Sequence, residues 1–396
     1  MKKYLLFGFV LLILCYSFLG REVKEEKLAP KQINPHLQKW IESCEQSIET
    51  ILAESKIPGV ALAIVKDEMV YVKGFGVRAK GRKAKVDEQT VFRIGSVSKS
   101  FAAALTGVLV EEGVLEWEDK VNDYLPDFRL SSKEQTERIN LKHLLSHTTG
   151  LPYHTFTNLV EKGIPISKII PELKDIDLIG VEGKVYSYQN AAFSIIGEVM
   201  NEATTKRYET LLKEKIFEPL GMDNVSTDRN GIVENKNSAQ PHRGIDNNWS
   251  IRKISEKYYQ AIPAGGINAS ISDMGQYLRL LIGNRTDVLT EKTLNEIYEA
   301  FVRTPIKRRY FGKWPKVTNA YYGMGWRIIN NGGERIAYHG GFVNGYRSEI
   351  AVNREEKIGI CLLINAPSKA LNATIPNFLE SYNTYADSIA NWELRN

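Results

Sequence analysis

The sequence predicts an α+β fold in which an antiparallel sheet, flanked by terminal helices, carries a mainly helical insert. Short apolar runs typical of strands occur towards both ends of the chain, whereas helical periodicity and loops dominate between them. With 396 residues, of which 43% are hydrophobic, the chain can bury a substantial core. The strands near the two ends are therefore expected to meet in one sheet.

The predicted elements follow in chain order. A helix is expected over residues 36–55. Two apolar runs at 59–65 and 69–75 then surround Lys66-Asp67-Glu68, a polar turn typical of a β-hairpin. Further strands are predicted towards the other end, before a last helix at about 374–392: residues 325–330, 335–338, 348–353 and 357–365. We assign residues 36–392 to one domain, with a sheet part at 36–95 and about 320–392 and a helical part at about 96–319.

The N-terminal residues have the pattern of a secretory signal. Lys2 and Lys3 precede an apolar run that extends to residue 19, and polar sequence begins at Arg21. We expect an exported protein, periplasmic or extracellular. Residues 1–19 would form a cleaved signal peptide or, because the run nearly spans a bilayer, a membrane anchor. Residues 20–35 are expected to form a polar linker.

Composition and cysteine usage narrow the range of partners. The net charge of +5 is too small to imply a nucleic-acid partner, and no glycine-rich phosphate loop occurs. Cys44 and Cys361 are expected to be separate buried thiols, although an oxidising compartment would allow them to pair. His143 and His147 stand four residues apart, but no Glu follows His143 as a zinc-protease motif requires. We predict no metal or cofactor, and a small-molecule or peptide substrate.

Ser96-Val97-Ser98-Lys99 opens an apolar, Ala-rich run and is the strongest chemical signal. On a helix, residues three apart share one face, so Ser96 and Lys99 would project together. A neutral amine can take the proton of a serine hydroxyl, and burial lowers the pKa of lysine. Considered alone, the motif fits a helix cap beside a solvated lysine equally well. A second Ser-x-x-Lys, beginning at Ser250, lies in a polar stretch and is interpreted as loop.

Two later motifs add to this interpretation. Tyr188-Gln189-Asn190 precedes an apolar helix and offers a phenol and an amide, although a packed tyrosine and a capping asparagine would explain it as well. His339-Gly340-Gly341-Phe342 follows a short predicted strand. Its glycines would let a substrate approach the backbone, although a glycine hairpin is the simpler explanation.

In this order the three motifs resemble those of the class C β-lactamase and DD-peptidase family of penicillin-recognising serine hydrolases. Other segments similar to the family's follow in the expected order, at residues 144–151, 216–222, 264–266 and 322–326. The resemblance covers about residues 57–367. It implies a β-lactamase/transpeptidase-like fold with the active site in the cleft between the sheet and helical parts.

The resemblance also implies roles for single residues. Ser96 would be the acylated nucleophile, Lys99 the amine that lowers its proton affinity, and Tyr188 the general base partner. Asn190 would hydrogen-bond the substrate amide or the Lys99 amine. The backbone N–H groups of Ser96 and Phe342 would form the oxyanion hole.

The third motif departs from the family pattern. His339, Gly340 and Gly341 stand at substrate-binding positions where the family usually has Lys-Thr-Gly. A permanent cation is thereby replaced by a group that is mostly neutral near pH 7. The acyl-enzyme chemistry is expected to survive this change, whereas specificity for β-lactams need not.

Three functions remain open on the sequence. The leading one is an exported serine hydrolase that cleaves amides, peptides or β-lactams through an acyl-enzyme on Ser96. The second is a carboxylesterase of the same fold, favoured by the missing lysine. The third is a non-catalytic protein that binds peptidoglycan or a partner.

Overall fold

The computed structural model describes residues 34–245, 247–306 and 311–395. The predicted signal or anchor segment and nearly all of the linker lie outside the described residues. No helix within the described ranges is long and apolar enough to cross a membrane.

The predicted α+β fold class is confirmed. Within the described residues, eight strands form one antiparallel sheet, and two short pairs of strands lie outside it. The strands are β1 Gly59–Lys66, β2 Met69–Gly76, β3 Phe92–Arg93, β4 His242–Ile245, β5 Asn248–Ile251, β6 Asn268–Ala269, β7 Val302–Arg303, β8 Val317–Tyr322, β9 Arg327–Asn331, β10 Glu334–Val343, β11 Tyr346–Asn353 and β12 Ile358–Ile364. The main sheet has the order β2-β1-β12-β11-β10-β9-β8-β7, so β1 pairs with β12 and the two ends of the chain meet.

Helices lie on both faces of this sheet. The α-helices are α1 Pro35–Ser55, α2 Ser98–Glu111, α3 Val121–Tyr124, α4 Lys133–Thr136, α5 Leu141–Leu145, α6 Thr157–Glu161, α7 Ile166–Ile169, α8 Asn190–Thr204, α9 Tyr208–Leu212, α10 Glu218–Leu220, α11 Arg229–Val233, α12 Ile262–Gly265, α13 Ile271–Leu281, α14 Glu291–Ile297 and α15 Thr374–Glu393. Short 3₁₀ turns occupy Gly95–Val97, Ile170–Asp175 and Ala370–Ala373, and a π turn occupies Lys213–Phe217.

Successive side chains of β1 point to opposite faces of the sheet, and each face has its own apolar core. Val60, Leu62 and Ile64 pack with the terminal helices α1 and α15, where the rings of Trp40 and Tyr382 meet edge to face at 5.2 Å. The alternate side chains, such as Ala61 and Ala63, pack with the helical part on the opposite face. Helices α1 and α15 thus cover one face of the sheet, and the helical part covers the other.

The largest difference from the predicted elements concerns β10. The sequence predicts a strand that ends at residue 338, before the two glycines, whereas β10 continues to Val343 and pairs with β11 throughout this stretch. Gly340 and Gly341 therefore lie inside a strand and do not form a hairpin turn. Strand β8 was not predicted from the sequence. Most of its side chains are only partly buried, so apolar and polar residues alternate weakly along it.

Both described cysteines, Cys44 and Cys361, are buried free thiols. Burial raises the pKa of each thiol, which keeps both protonated and unreactive.

Candidate active site

The segment that carries Ser96 is a tight turn pressed against the backbone of β10. Ser96 lies in the 3₁₀ turn before α2 and is half-buried between buried neighbours. Gly95 has φ +52°, and a Cβ on it would come within 2.9 Å of the Phe342 nitrogen. Only glycine fits this close approach without strain. The hydroxyl of Ser96 and the backbone of Phe342 consequently lie at the same end of the cleft.

Lys99 lies in the first turn of α2 and is fully buried. Its Nζ donates to Asn190 Oδ1 and to the carbonyl oxygen of Ala264, both at 2.8 Å. Burial lowers the pKa of Lys99 well below its usual range, and the positive charge of Arg327 lowers it further. A neutral amine has two hydrogens and one lone pair, so these two acceptors use both hydrogens and leave the lone pair for a proton.

The phenol of Tyr188 lies beside the Ser96 side chain, and its ring centroid lies 4.8 Å from Lys99 Nζ. Burial raises the pKa of this phenol, although Ser96 and the positive charge of Arg327 act in the opposite direction. The predicted role as general base requires the phenolate, which burial disfavours. A protonated Tyr188 is suited instead to passing a proton between the serine and its surroundings.

His147 contacts the Tyr188-Gln189-Asn190 segment through a hydrogen bond and through its ring. The backbone N–H of Gln189 donates to His147 Nδ1 at 3.2 Å, and the His147 ring lies 4.3 Å from the ring of Tyr188. His143 has a different role, since its Nδ1 accepts from the backbone N–H of Asn140 at the start of α5. Among the described residues, no three His, Cys, Asp or Glu side chains are grouped as metal ligands would be.

The two glycines of β10 face different surroundings. A Cβ on Gly341 would lie 2.1 Å from the Ile94 carbonyl oxygen and 2.3 Å from Ser348 Oγ. The same Ser348 hydroxyl donates to the Ile94 carbonyl at 2.5 Å. A Cβ on Gly340 would meet only the Tyr338 hydroxyl closely, at 3.2 Å. Gly341 therefore lets β10 pack against the residues that precede the nucleophile.

His339 is buried and is not among the residues that line the cleft, but its ring centroid lies 6.5 Å from that of Tyr188. The His339 side chain is buried on the face of β10 opposite the one that Gly340 presents. Its Nδ1 donates to the backbone carbonyl of Gly340, and its Nε2 lies 3.0 Å from the Tyr322 hydroxyl. Because a carbonyl oxygen can only accept, Nδ1 carries the proton and Nε2 accepts from Tyr322. Burial, followed by the positive charge of Arg327, lowers the pKa of His339 well below its usual range, so the ring is neutral.

A cleft of about 500 Å³ opens beside Ser96. Its lining includes Tyr188, Asn190, Gly340, Gly341 and Phe342, which the sequence singled out. It also includes polar and charged residues that sequence reasoning missed: His154, Glu161, Tyr258, Lys313, Arg327, Tyr338, Arg347, Glu349, Lys369 and Asn372.

Two of these missed residues carry charge deep in the site. Arg327 is nearly buried, donates to the Tyr186 hydroxyl at 3.1 Å and has its Cζ 5.7 Å from the ring centroid of Tyr188. It directly follows the family-like segment at 322–326, so the sequence did contain a signal for it. Glu349 is buried beside Arg347, with which it pairs, and burial raises the pKa of its carboxyl.

A family model described as Beta-lactamase matches residues 44–379. The unguisins hydrolase ungD' of Aspergillus campestris is 27% identical over 314 residues, which make up 75% of this chain and 56% of that protein. Protein flp of Staphylococcus aureus strain MRSA252 is 25% identical over 349 residues, or 86% of this chain and 66% of that protein. The chain thus spans less than two thirds of the length of these relatives.

A solved structure is also similar to this chain. The octameric penicillin-binding protein homologue from Pyrococcus abyssi superposes with a TM-score of 0.74 at 26% identity, over 86% of this chain and 77% of that one. Since the family model covers most of the chain, and its architecture matches that of this neighbour, the chain belongs to the beta-lactamase family.

Proposed function

We propose that the protein is an exported serine hydrolase that acts through an acyl-enzyme on Ser96 and cleaves an amide, peptide or β-lactam bond. The observation that carries the proposal is the state of Lys99. Its amine is buried, its two hydrogens have acceptors, and the Tyr188 phenol lies beside Ser96. A base of this kind can activate a serine hydroxyl near neutral pH.

The proposed reaction has two steps. Ser96 Oγ attacks the substrate carbonyl carbon while its proton passes to Lys99, directly or through the Tyr188 hydroxyl. The resulting oxyanion would accept hydrogen bonds from the backbone N–H groups of Ser96 and Phe342. The leaving group takes the proton as its bond to the carbonyl carbon breaks, which leaves an ester on Ser96. An amine from an amide or peptide departs, whereas the amine of an opened β-lactam stays attached to the acyl group. A water molecule then attacks this ester, and the same groups return the proton to Ser96.

The esterase alternative is favoured by the position of His339. The family usually has a lysine at this position, but here a neutral ring lies outside the cleft lining. A permanent cation near Tyr188 is supplied by Arg327 from the neighbouring strand β9. A substrate without a carboxylate would need no cation at the position of His339, and simple esters fit this condition.

Hydrolase activity and export rest on different support. The name of the Aspergillus relative describes a hydrolase, and the protein from Pyrococcus is described as a homologue of penicillin-binding proteins. Export rests on the signal-like pattern of residues 1–19 alone, and attachment to a membrane through this segment is part of the same proposal.

Substrate turnover tests the proposal. Purified protein is assayed with p-nitrophenyl esters, a chromogenic cephalosporin and a peptide ending in D-Ala-D-Ala. The Ser96→Ala variant should lose turnover of every substrate that the wild type cleaves. Ser250→Ala is the matched control, because Ser250 opens the second Ser-x-x-Lys on an exposed strand, and it should keep full activity. Equal activity of wild type and Ser96→Ala would contradict the proposal.

A further inference from the structure

Tyr258 lies at the rim of the cleft and contacts the amide that also binds the catalytic lysine. Asn190 Nδ2 donates to the Tyr258 hydroxyl at 3.2 Å, while Asn190 Oδ1 accepts from Lys99. Tyr258 and Asn190 both line the cleft beside Ser96. The oxygen of the Asn190 amide therefore accepts from Lys99, and its nitrogen donates to Tyr258.

A carboxylate on α6 fixes the direction of this hydrogen bond. The Tyr258 hydroxyl donates to Glu161 Oε1 at 3.4 Å, and Lys257 Nζ pairs with Glu161 Oε2 at 2.5 Å. Burial and the charge of Glu161 raise the pKa of Tyr258, so the phenol keeps its proton. Because that proton points to Glu161, the oxygen of Tyr258 is left to accept from Asn190.

The backbone and the neighbouring glycine hold the ring in this place. Tyr258 has φ +71°, a left-handed conformation that non-glycine residues adopt at a cost in free energy and that recurs at functional sites. Its ring lies close to Gly265, where a Cβ would come within 3.2 Å of the ring. The adjacent Ala264 supplies the carbonyl that accepts from Lys99. The 264–266 segment thus supports both the lysine and the tyrosine.

We propose that Tyr258 is a specificity-determining residue whose hydroxyl competes with the substrate for one of the two Asn190 N–H groups. The inference rests on the proposed function and narrows its substrate class. An acyl group with an acylamino substituent on its α-carbon, as in an N-acylamino acid, can bind both Asn190 N–H groups only if Tyr258 is displaced. A plain acyl group leaves the tyrosine in place. The chain therefore favours substrates without an acylamino group at this position.

Two esters with one leaving group test this directly: p-nitrophenyl butyrate and the p-nitrophenyl ester of N-acetylglycine. In Tyr258→Phe, the ratio of kcat/KM for the acetylglycine ester to that for the butyrate should rise about fivefold, mainly through a lower KM, as expected for one hydrogen bond made available. Tyr259→Phe is the matched control, because Tyr259 donates to Asn268 at 2.9 Å and does not line this cleft. It should leave the ratio unchanged.

A second variant covers the case in which Tyr258→Phe folds poorly, as judged by thermal unfolding. Glu161→Ala keeps the tyrosine but removes the acceptor that holds its hydroxyl, and it should raise the same ratio. An unchanged or lower ratio in the folded variants would overturn the inference, while ester turnover that is lost in Ser96→Ala would still uphold acyl-enzyme chemistry at Ser96. If wild type cleaves neither these esters nor the cephalosporin and peptide, the proposed function and this inference are both overturned.

Discussion

A methyl group added at Gly341 should disable the site without unfolding the protein. In Gly341→Ala the new Cβ would lie 2.1 Å from the Ile94 carbonyl oxygen, a backbone atom two residues before Ser96. Real Cβ contacts are essentially never closer than 3.0 Å. Strand β10 must therefore move about 1 Å away from the nucleophile segment, and the N–H of Phe342 moves with it.

The size of the effect follows from that displacement. A misplacement of about 1 Å in a reacting group can cost about 100-fold in rate, and loss of one oxyanion donor costs about 10²–10³-fold. We expect acylation of Gly341→Ala to fall about 100-fold. Overpacking of this kind typically costs about 1–3 kcal/mol of stability, which a domain of this size can lose and remain folded.

The assay is the rate of p-nitrophenol release in the first turnover, with thermal unfolding measured on the same samples. Gly340→Ala is the comparison, because its Cβ would meet only the Tyr338 hydroxyl closely, at 3.2 Å, and needs a shift of a few tenths of an ångström. Its loss should stay below about tenfold. Activity of folded Gly341→Ala within threefold of wild type would refute the reasoning, as would an equal loss in Gly340→Ala.

Two further predictions concern charge at the site. Since burial lowers the pKa of Lys99 below 10.5, folding releases a proton that the unfolded chain keeps, so wild-type stability should rise with pH towards about 10.5. Relative to wild type, Lys99→Met should therefore lose stability as pH rises from about 8 to 10 in denaturant titrations; parallel pH dependences would contradict this. Arg327→Gln should raise the pKa of Lys99 and move the acidic limb of the kcat/KM profile to higher pH. Arg327→Lys keeps the positive charge and should leave this limb nearer to its wild-type position. An unmoved limb in Arg327→Gln would show that the charge of Arg327 does not lower the pKa of Lys99.

Local pattern and short motifs were sufficient to predict the fold class. The apolar runs that form β1, β2, β11 and β12 are strongly buried or belong to a hairpin. Such strands can be recognised in the sequence from their short apolar runs. The segment from Ser96 to Lys99 stood out because an apolar, Ala-rich helix follows it. The exposed second copy at Ser250 shows that the motif alone would not have been enough.

The remaining features depend on contacts between distant parts of the chain. The two glycines of β10 signalled the end of a strand, but pairing with β11 continues the strand beyond them. His339 alternates to the face away from Gly340, which follows from the extension of β10 and could not be read from the motif. Tyr258 reaches Asn190 across 68 positions of sequence, through a loop whose conformation no local pattern specifies.

Covalent labelling of Ser96 tests the central claim most directly. The intact mass of the protein is measured after brief incubation with a penicillin and, separately, with an activated acyl ester, and the labelled peptide is then identified. We predict an adduct on the peptide that contains Ser96, with the whole mass of the penicillin or the acyl mass of the ester. It should be absent from Ser96→Ala and retained in Ser250→Ala. No adduct and no turnover with either reagent, or an adduct that persists in Ser96→Ala, would contradict acyl-enzyme chemistry at Ser96.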